Sequence, residues 1–241
     1  MATAILKKRR PKVPARELVE VLEEDRSASF YMPAGSMTLD DFRKWTRSDD
    51  FPESGKIAYI GKEIFIDMSP ERIDCHGLVK TAICTVIGSL VLNRNMGNVF
   101  FDGIRIVNVP AAVSNEPDAV FIRWESLQSD RVRKVPTQDE NDYIEFEGAP
   151  DWVLEIVSPS SVTKDKKKLP ARYFRAGVSE YWLVDARGKD LDFQIFNHGE
   201  EEYEPAERVG VWQVSQVFGK KFRLRRIKNP LGGVDYRLDM K

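Results

Sequence analysis

Glu155 stands in the middle of an apolar run, Val153-Leu154-Glu155-Ile156-Val157, which passes directly into a serine and lysine cluster, "SPSSVTKDKKK". Burying an unpaired carboxylate is costly, so this acid must be paired, hydrogen-bonded or bound to a cation. Two other acids compete to be its partner. Asp151 lies four residues earlier on the same run, about 13 Å away at roughly 3.3 Å per residue, too far to share one ion. Asp118 begins a separate apolar run, "DAVFI", and a strand there could lie alongside. Asp118 is the better partner. Two carboxylates beside a lysine suit Mg²⁺-assisted hydrolysis: hard oxygen ligands hold the ion, which keeps several waters and makes one of them a readier nucleophile. A lysine can then stabilise charge developing on a phosphoryl group or help deprotonate the water.

The elements that must position these groups follow from hydrophobic periodicity. "KIAYIGKEIFIDMS" reads as a hairpin turning at Gly61-Lys62. From about Arg72 to Asn93 a stripe of Leu78, Ala82, Ile83, Val86, Ile87 and Leu90 predicts a long amphipathic helix, ended by Gly97 or the asparagines before it. Short strands are expected in "NVFFDG", "IRIVNV", "EPDAVFI", "YIEFEG", "DWVLEIV" and "EYWLVDA", and an outer hairpin in "DFQIFN" and "EYEPAE". Residues 124–141 are charged and aperiodic and read as a loop or insertion. A helical segment is expected over roughly 161–176. "KKFRLRRI" alternates Phe222 and Leu224 with Arg223 and Arg225, an amphipathic strand with a basic face.

At the N-terminus, "KKRRPK" (Lys7–Lys12) reads as a solvated tail or a phosphate-binding arm. "ARELVEVLEED" suggests a short helix, and "SMTLDDFRKW" a second one with Thr38 as N-cap. The organisation expected is therefore an N-terminal extension over 1–35 and one domain over 36–241.

The chain has 241 residues, 42% of them hydrophobic and 31% charged, enough for a sizeable core. A net charge of −1 excludes binding of nucleic acid by overall charge, so any such contact must come from local basic patches. Two cysteines, Cys75 and Cys84, form no disulfide framework or metal knuckle and suit a reducing cytosol. No uninterrupted apolar run approaches 18 residues and the first residues lack a signal-peptide core, so a cytoplasmic protein without a membrane span is expected.

Pro117-Asp118, "EIVSPSS" (Glu155–Ser161), "YFRAGVSEYWLVDA" (Tyr173–Ala186) and "GKEIFIDMSPERIDCHGLVK" (Gly61–Lys80) together resemble the Uma-type putative restriction endonucleases of the PD-(D/E)XK nuclease superfamily. The resemblance covers roughly residues 37–200. It implies an α+β (α/β) fold with a restriction-endonuclease-like core: a central mixed β-sheet flanked by α-helices, here with an N-terminal helical extension. It also implies a Mg²⁺-dependent DNA endonuclease, with Mn²⁺ as a substitute and metal ligands at Asp118 and Glu155. In such relatives a lysine comes from the helix after the strand, commonly four residues before the tyrosine that is Tyr173 here. That position is Leu169, so Lys164 and Lys168 are the substitutes, with Lys164 favoured. The family's N-terminal helix bears a histidine, which here is His76, a candidate to polarise a phosphate or support the ligands.

Each residue also has a plainer reading. Asp118 alone could cap a strand, Glu155 could be a structural acid tied to a base, and "KDKKK" could be a solvated helix face. His76 could be a structural histidine. Glu71 could add a ligand, whereas Glu63 is expected to face solvent. Functionally, the competing expectation is an inactive nuclease-fold protein that binds nucleic acid or a partner protein. RNA is a second candidate substrate. Nucleases that cut both strands often act as homodimers.

Overall fold

The computed structural model describes residues 18–19, 30–31, 35–137 and 141–241. It divides into two compact units, Met1–Glu53 and Ser54–Lys241. In the first, β1 (Leu18–Val19) pairs antiparallel with β2 (Phe30–Tyr31). A strand thus replaces part of the helix expected over "ARELVEVLEED", since Leu18 and Val19 meet a partner strand that local periodicity does not reveal. The rest of that segment and Lys7–Lys12 lie outside the described residues. Helix α1 (Leu39–Thr46) starts as its sequence predicts: Thr38 and Asp41 form a reciprocal capping box. Its buried face carries Phe42 and Trp45, both packed edge-on against Phe51.

The second unit begins with a hairpin of β3 (Lys56–Ile60) and β4 (Glu63–Asp67). Gly61 and Lys62 both have positive φ, 60° and 79°, as a two-residue turn matched to strand twist requires. A π-helical turn, Ile73–Gly77, leads into α2 (Leu78–Asn93). Val79, Ile83, Ile87, Leu90 and Val91 are its deepest residues, with Leu78, Ala82 and Val86 packed beside them. Asn95, with φ of 48°, turns the chain away in the left-handed conformation that asparagine tolerates.

There follow β5 (Gly97–Phe101), β6 (Arg105–Asn108), β7 (Val113–Asn115), β8 (Ala119–Arg123) and the short helix α3 (Trp124–Gln128). Next are β9 (Val132–Pro136), β10 (Tyr143–Gly148) and β11 (Trp152–Ile156). Residues 124–128 and 132–136 are therefore a helix and a strand rather than loop. Strand β9 is charged because it is a sheet edge, open on both sides beyond Val132: that residue is buried, whereas the successive Arg133 and Lys134 are both exposed. A second π-helical turn, Lys164–Lys168, enters α4 (Leu169–Ala176), and Gly177 closes that helix at φ 83°. The chain ends with β12 (Glu180–Asp185), β13 (Asp192–His198), β14 (Tyr203–Pro205), β15 (Arg208–Val209), β16 (Trp212–Ser215), β17 (Lys220–Lys228) and β18 (Val234–Met240).

The central mixed sheet has the order β14-β13-β12-β11-β8-β5, with β11 parallel to β12 and antiparallel to β8. A second six-stranded sheet, β4-β3-β7-β6-β10-β9, and a four-stranded sheet, β15-β16-β17-β18, complete the unit. Strand β11 is buried on both faces, so its period-two alternation splits between two cores. Trp152, Leu154 and Ile156 join the core that contains α2, whereas Val153 and Val157 join the one containing Leu169, Tyr173 and Tyr181. Strand β8 alternates in step, with Ala119 and Phe121 on the first side and Val120 and Ile122 on the second.

The helical stretch Ile73–Asn93, 21 residues, is long and apolar enough by length and composition to cross a bilayer, although Asp74, His76 and Lys80 interrupt its apolar run. Half of its most apolar window is buried within the fold, and α2 packs against β18 and β5, the position of a core helix.

Candidate active site

Alternation along β8 and β11 places Asp118 and Glu155 on the same face. Leu154 pairs with Ala119, so the next step of the antiparallel register sets Glu155 opposite Asp118. Both are buried. Asp118 Oδ2 accepts a 2.7 Å hydrogen bond from the backbone amide of Ile156. Its Oδ1 faces cations: Lys56 Nζ at 2.6 Å, His76 Nε2 at 3.3 Å and Lys80 Nζ at 3.7 Å. Burial by itself would raise the Asp118 carboxyl, but His76, Lys56 and Lys80 together hold it far below the usual carboxylate range.

Glu155 is arranged the same way, one oxygen fixed and the other near a cation. Oε1 accepts from Tyr173 Oη at 2.8 Å and Asn115 Nδ2 at 2.9 Å, while Oε2 lies 3.3 Å from Lys164 Nζ. Here burial outweighs the nearby ammonium, and with Asp165 and Asp118 adding repulsion the carboxyl is pushed up to about 7. Lys164 is also buried and touches Asp165 at 2.8 Å. Burial works against its charge, but the two carboxylates prevail and raise it above the ordinary lysine value.

The serine cluster explains how Lys164 arrives there. Ser158 and Ser161 exchange hydrogen bonds between hydroxyl and amide, at 2.9 and 3.1 Å, and Asp165 N bonds to Ser161 O at 2.8 Å. The strand is stopped and the following turn started within four residues. Lys168, one turn further on, is half-exposed and pairs with exposed Glu63 on the hairpin. It is therefore not brought to the carboxylates. His76 is: buried in the first π-helical turn, it bridges Asp118 and Glu71, whose Oε1 is 2.9 Å from Nδ1. Asp151 is a structural acid, bound to Arg131 at 3.0 Å and to the Arg123 amide at 2.8 Å.

Sequence reasoning missed Lys56, Lys80, Asp102 and Asn115. Lys80 bonds both Glu71 and Asp102, at 2.9 and 2.8 Å, and so ties the start of α2 to the Asp118 side of the site. Lys56, His76, Asp67 and Asp102 line a cavity of about 290 Å³ beside Asp118.

Among the described residues, no three His, Cys, Asp or Glu side chains converge as a ready cage for a metal. The donor set nevertheless fits a hard divalent ion that keeps most of its waters. Two buried carboxylates share one face, burial pushes the Glu155 carboxyl up despite Lys164, and a half-exposed ammonium, Lys56, rests on Asp118 Oδ1 where a cation would be welcome.

The architecture, a mixed sheet with α2 packed in one core and α4 in the other, is that of a nuclease-like fold. The chain matches the family described as Uma2, putative restriction endonuclease, over residues 39–225, and it belongs to that family. Its fold is similar to that of a putative nuclease belonging to DUF820 from Anabaena variabilis, with a TM-score of 0.55 and 22% sequence identity. That likeness covers 76% of this chain and 91% of the other. No curated protein matches this chain.

Proposed function

We propose that this protein is a divalent-metal-dependent endonuclease that hydrolyses DNA phosphodiester bonds. The observation that carries the reading is the opposition of Asp118 and Glu155 on one buried face, with Lys164 3.3 Å from Glu155. Asp118 and Glu155 would hold Mg²⁺, or Mn²⁺ in its place. Such an ion, when bound, supplies a more acidic water and charge stabilisation at the phosphoryl oxygens.

The chain's own residues have distinct tasks in this reading. Ile156 N, Asn115 and Tyr173 each fix one carboxylate oxygen, so the remaining ones are aimed in advance. Lys164 is held protonated by Glu155 and Asp165, which suits electrostatic stabilisation of the developing charge better than proton abstraction. His76, with both ring nitrogens facing carboxylates, positions Asp118. A cytoplasmic location and a homodimer that cuts both strands belong to the same reading, with RNA as the second substrate.

One observation favours a different reading, a nuclease-fold protein that binds nucleic acid or a partner protein without cutting. Each carboxylate already has an ammonium group beside it, Lys56 at Asp118 and Lys164 at Glu155. The test is titration of purified protein with Mg²⁺ or Mn²⁺ against supercoiled, linear and single-stranded DNA and against RNA, with Asp118→Asn as control. Metal-dependent cutting lost in Asp118→Asn is expected. Binding without cutting under either ion would favour the second reading.

A further inference from the structure

The basic alternation along β17 is not used by the site described above. Phe222 and Leu224 turn into the core, and Lys221, Arg223 and Arg225 face the other way. Strand register assembles three rows on that outer face. Val214 and Lys221 align with Lys241, Trp212 and Arg223 with Asp239, and Arg225 with Arg237. The Arg223 guanidinium lies 4.9 Å and Lys241 Nζ 4.3 Å from the centre of the Trp212 ring, so the indole holds two cationic heads in place. Asp239 takes Arg223 at 2.7 Å and Arg225 at 2.6 Å. The face thus carries five cationic side chains against two carboxylates, Asp239 among them and Asp235 one row beyond Arg237, in a chain whose net charge is −1.

This arrangement is unfavourable for the fold alone. Arg225 and Arg237 stand directly opposite across the ladder, where like charges destabilise a sheet. Arg237 is exposed and has no acidic partner among the described residues. A polyanion laid over the face would remove that penalty. Successive rows lie about 6.8 Å apart, at roughly 3.4 Å per residue. A nucleic acid strand carries one charge per ~3.4 Å of axis, so every row can meet a phosphate.

Helix α2 packs on the inner face of the same sheet, opposite the basic rows. Lys80 at its start reaches Asp118, and Leu90 lines a groove with Met240 of β18. Those ten residues span about 15 Å. The family match stops at Arg225, so Arg237, Asp239 and Lys241 lie beyond it.

We propose that the outer face of the β15–β18 sheet is a DNA-backbone tract, set across that sheet from α2 and the acids Asp118 and Glu155. The inference rests on the DNA reading given above. It supplies the local basic patch that a chain of near-zero net charge needs.

The test is fluorescence anisotropy with a labelled 30-base-pair duplex in EDTA, from 50 to 200 mM KCl, for wild type, Lys221→Ala/Arg237→Ala, Trp212→Leu and Lys189→Ala. The double variant is expected to bind about tenfold more weakly at 150 mM salt, with a salt slope smaller by about two units. Trp212→Leu should weaken binding in the same direction and Lys189→Ala should leave it unchanged. Melting temperatures identify any variant that is misfolded. A double variant that binds with the wild-type slope and affinity overturns the tract and leaves the DNA reading standing. A wild type that binds no DNA overturns the DNA reading and the tract with it. Polyglutamate that displaces DNA at equal charge would instead make the face a docking site for an acidic protein, and would also overturn the proposal.

Discussion

Lys56 Nζ lies 2.6 Å from Asp118 Oδ1, on the carboxylate whose other oxygen is already committed to the amide of Ile156. A divalent ion and this ammonium therefore compete for the same oxygen. Lys56→Met keeps the aliphatic stem and removes the charge. It should tighten Mn²⁺ binding by about tenfold, roughly 1.4 kcal/mol, when measured by calorimetry. Unchanged or weaker binding would remove Lys56 from that role, and Asp118→Asn should abolish the heat of binding altogether.

Glu155 gives the metal-free protein a pH dependence of definite sign. Its carboxyl titrates near 7 in the fold, against an ordinary glutamate value of 4.5, so the folded state holds a proton that the unfolded chain has released. Stability should accordingly fall as pH rises from about 4.5 to 7, and level off above that. In EDTA, Glu155→Gln should flatten this decline and melt about 5 °C above wild type at pH 8. A variant that melts well below wild type at that pH would show that ionised Glu155 is a structural anchor.

The two lysines of the second π-helical turn should separate cleanly. Lys164→Ala leaves Glu155 and Asp165 buried without their shared ammonium, at a cost of about 3 kcal/mol, and should lose cleavage while still binding DNA. Lys168→Ala removes a half-exposed pair with Glu63, worth less than about 1 kcal/mol, and should cut normally. Single-turnover cleavage at matched DNA occupancy distinguishes them. The reverse pattern would move the assignment one turn along the chain.

Tyr173 offers a subtler probe. Tyr173→Phe deletes the 2.8 Å bond to Glu155 Oε1 and the 2.7 Å bond that Asn115 Nδ2 donates to Tyr173 Oη, but leaves Asn115 on the glutamate oxygen. Stability should drop by about 2 kcal/mol in urea titrations. A loss several times larger would mean that Asn115 cannot hold Glu155 alone.

The acids were legible because each contradicts its surroundings: a glutamate inside Val-Leu-Ile-Val and an aspartate opening Ala-Val-Phe-Ile leave few explanations other than shared charge. Lys164 was legible through the nine-residue distance back to Glu155 that the serine turn allows. Lys56, Lys80 and Asn115 were not, because each looks ordinary where it stands. They meet the acids only through the packing of the hairpin, α2 and β7, which are tens of residues away in the chain. Strand β9 was obscured for a related reason, since an edge strand is free to carry charge on its open sides. The pairing of Leu18–Val19 was hidden by helical periodicity that the partner strand overrides.

Both helices that serve the site enter it through a π-helical turn, and His76 and Lys164 each sit inside one. Such a turn holds one residue more than regular winding, and each α-helical residue advances the helix by about 100°. The surplus residue works as a phase adjuster: the core stripes of α2 and α4 keep their orientation while the polar residue ahead of them is aimed independently. Loss of one codon in either turn would restore even winding, leave Val79 to Val91 or Leu169 to Tyr173 packed as before, and swing His76 or Lys164 off the acids. Chemistry and architecture part company at the first turn, where Lys56 and Lys80 still neutralise Asp118; at the second, Glu155 and Asp165 would be left buried without an ammonium, so silencing the site there also loosens the fold.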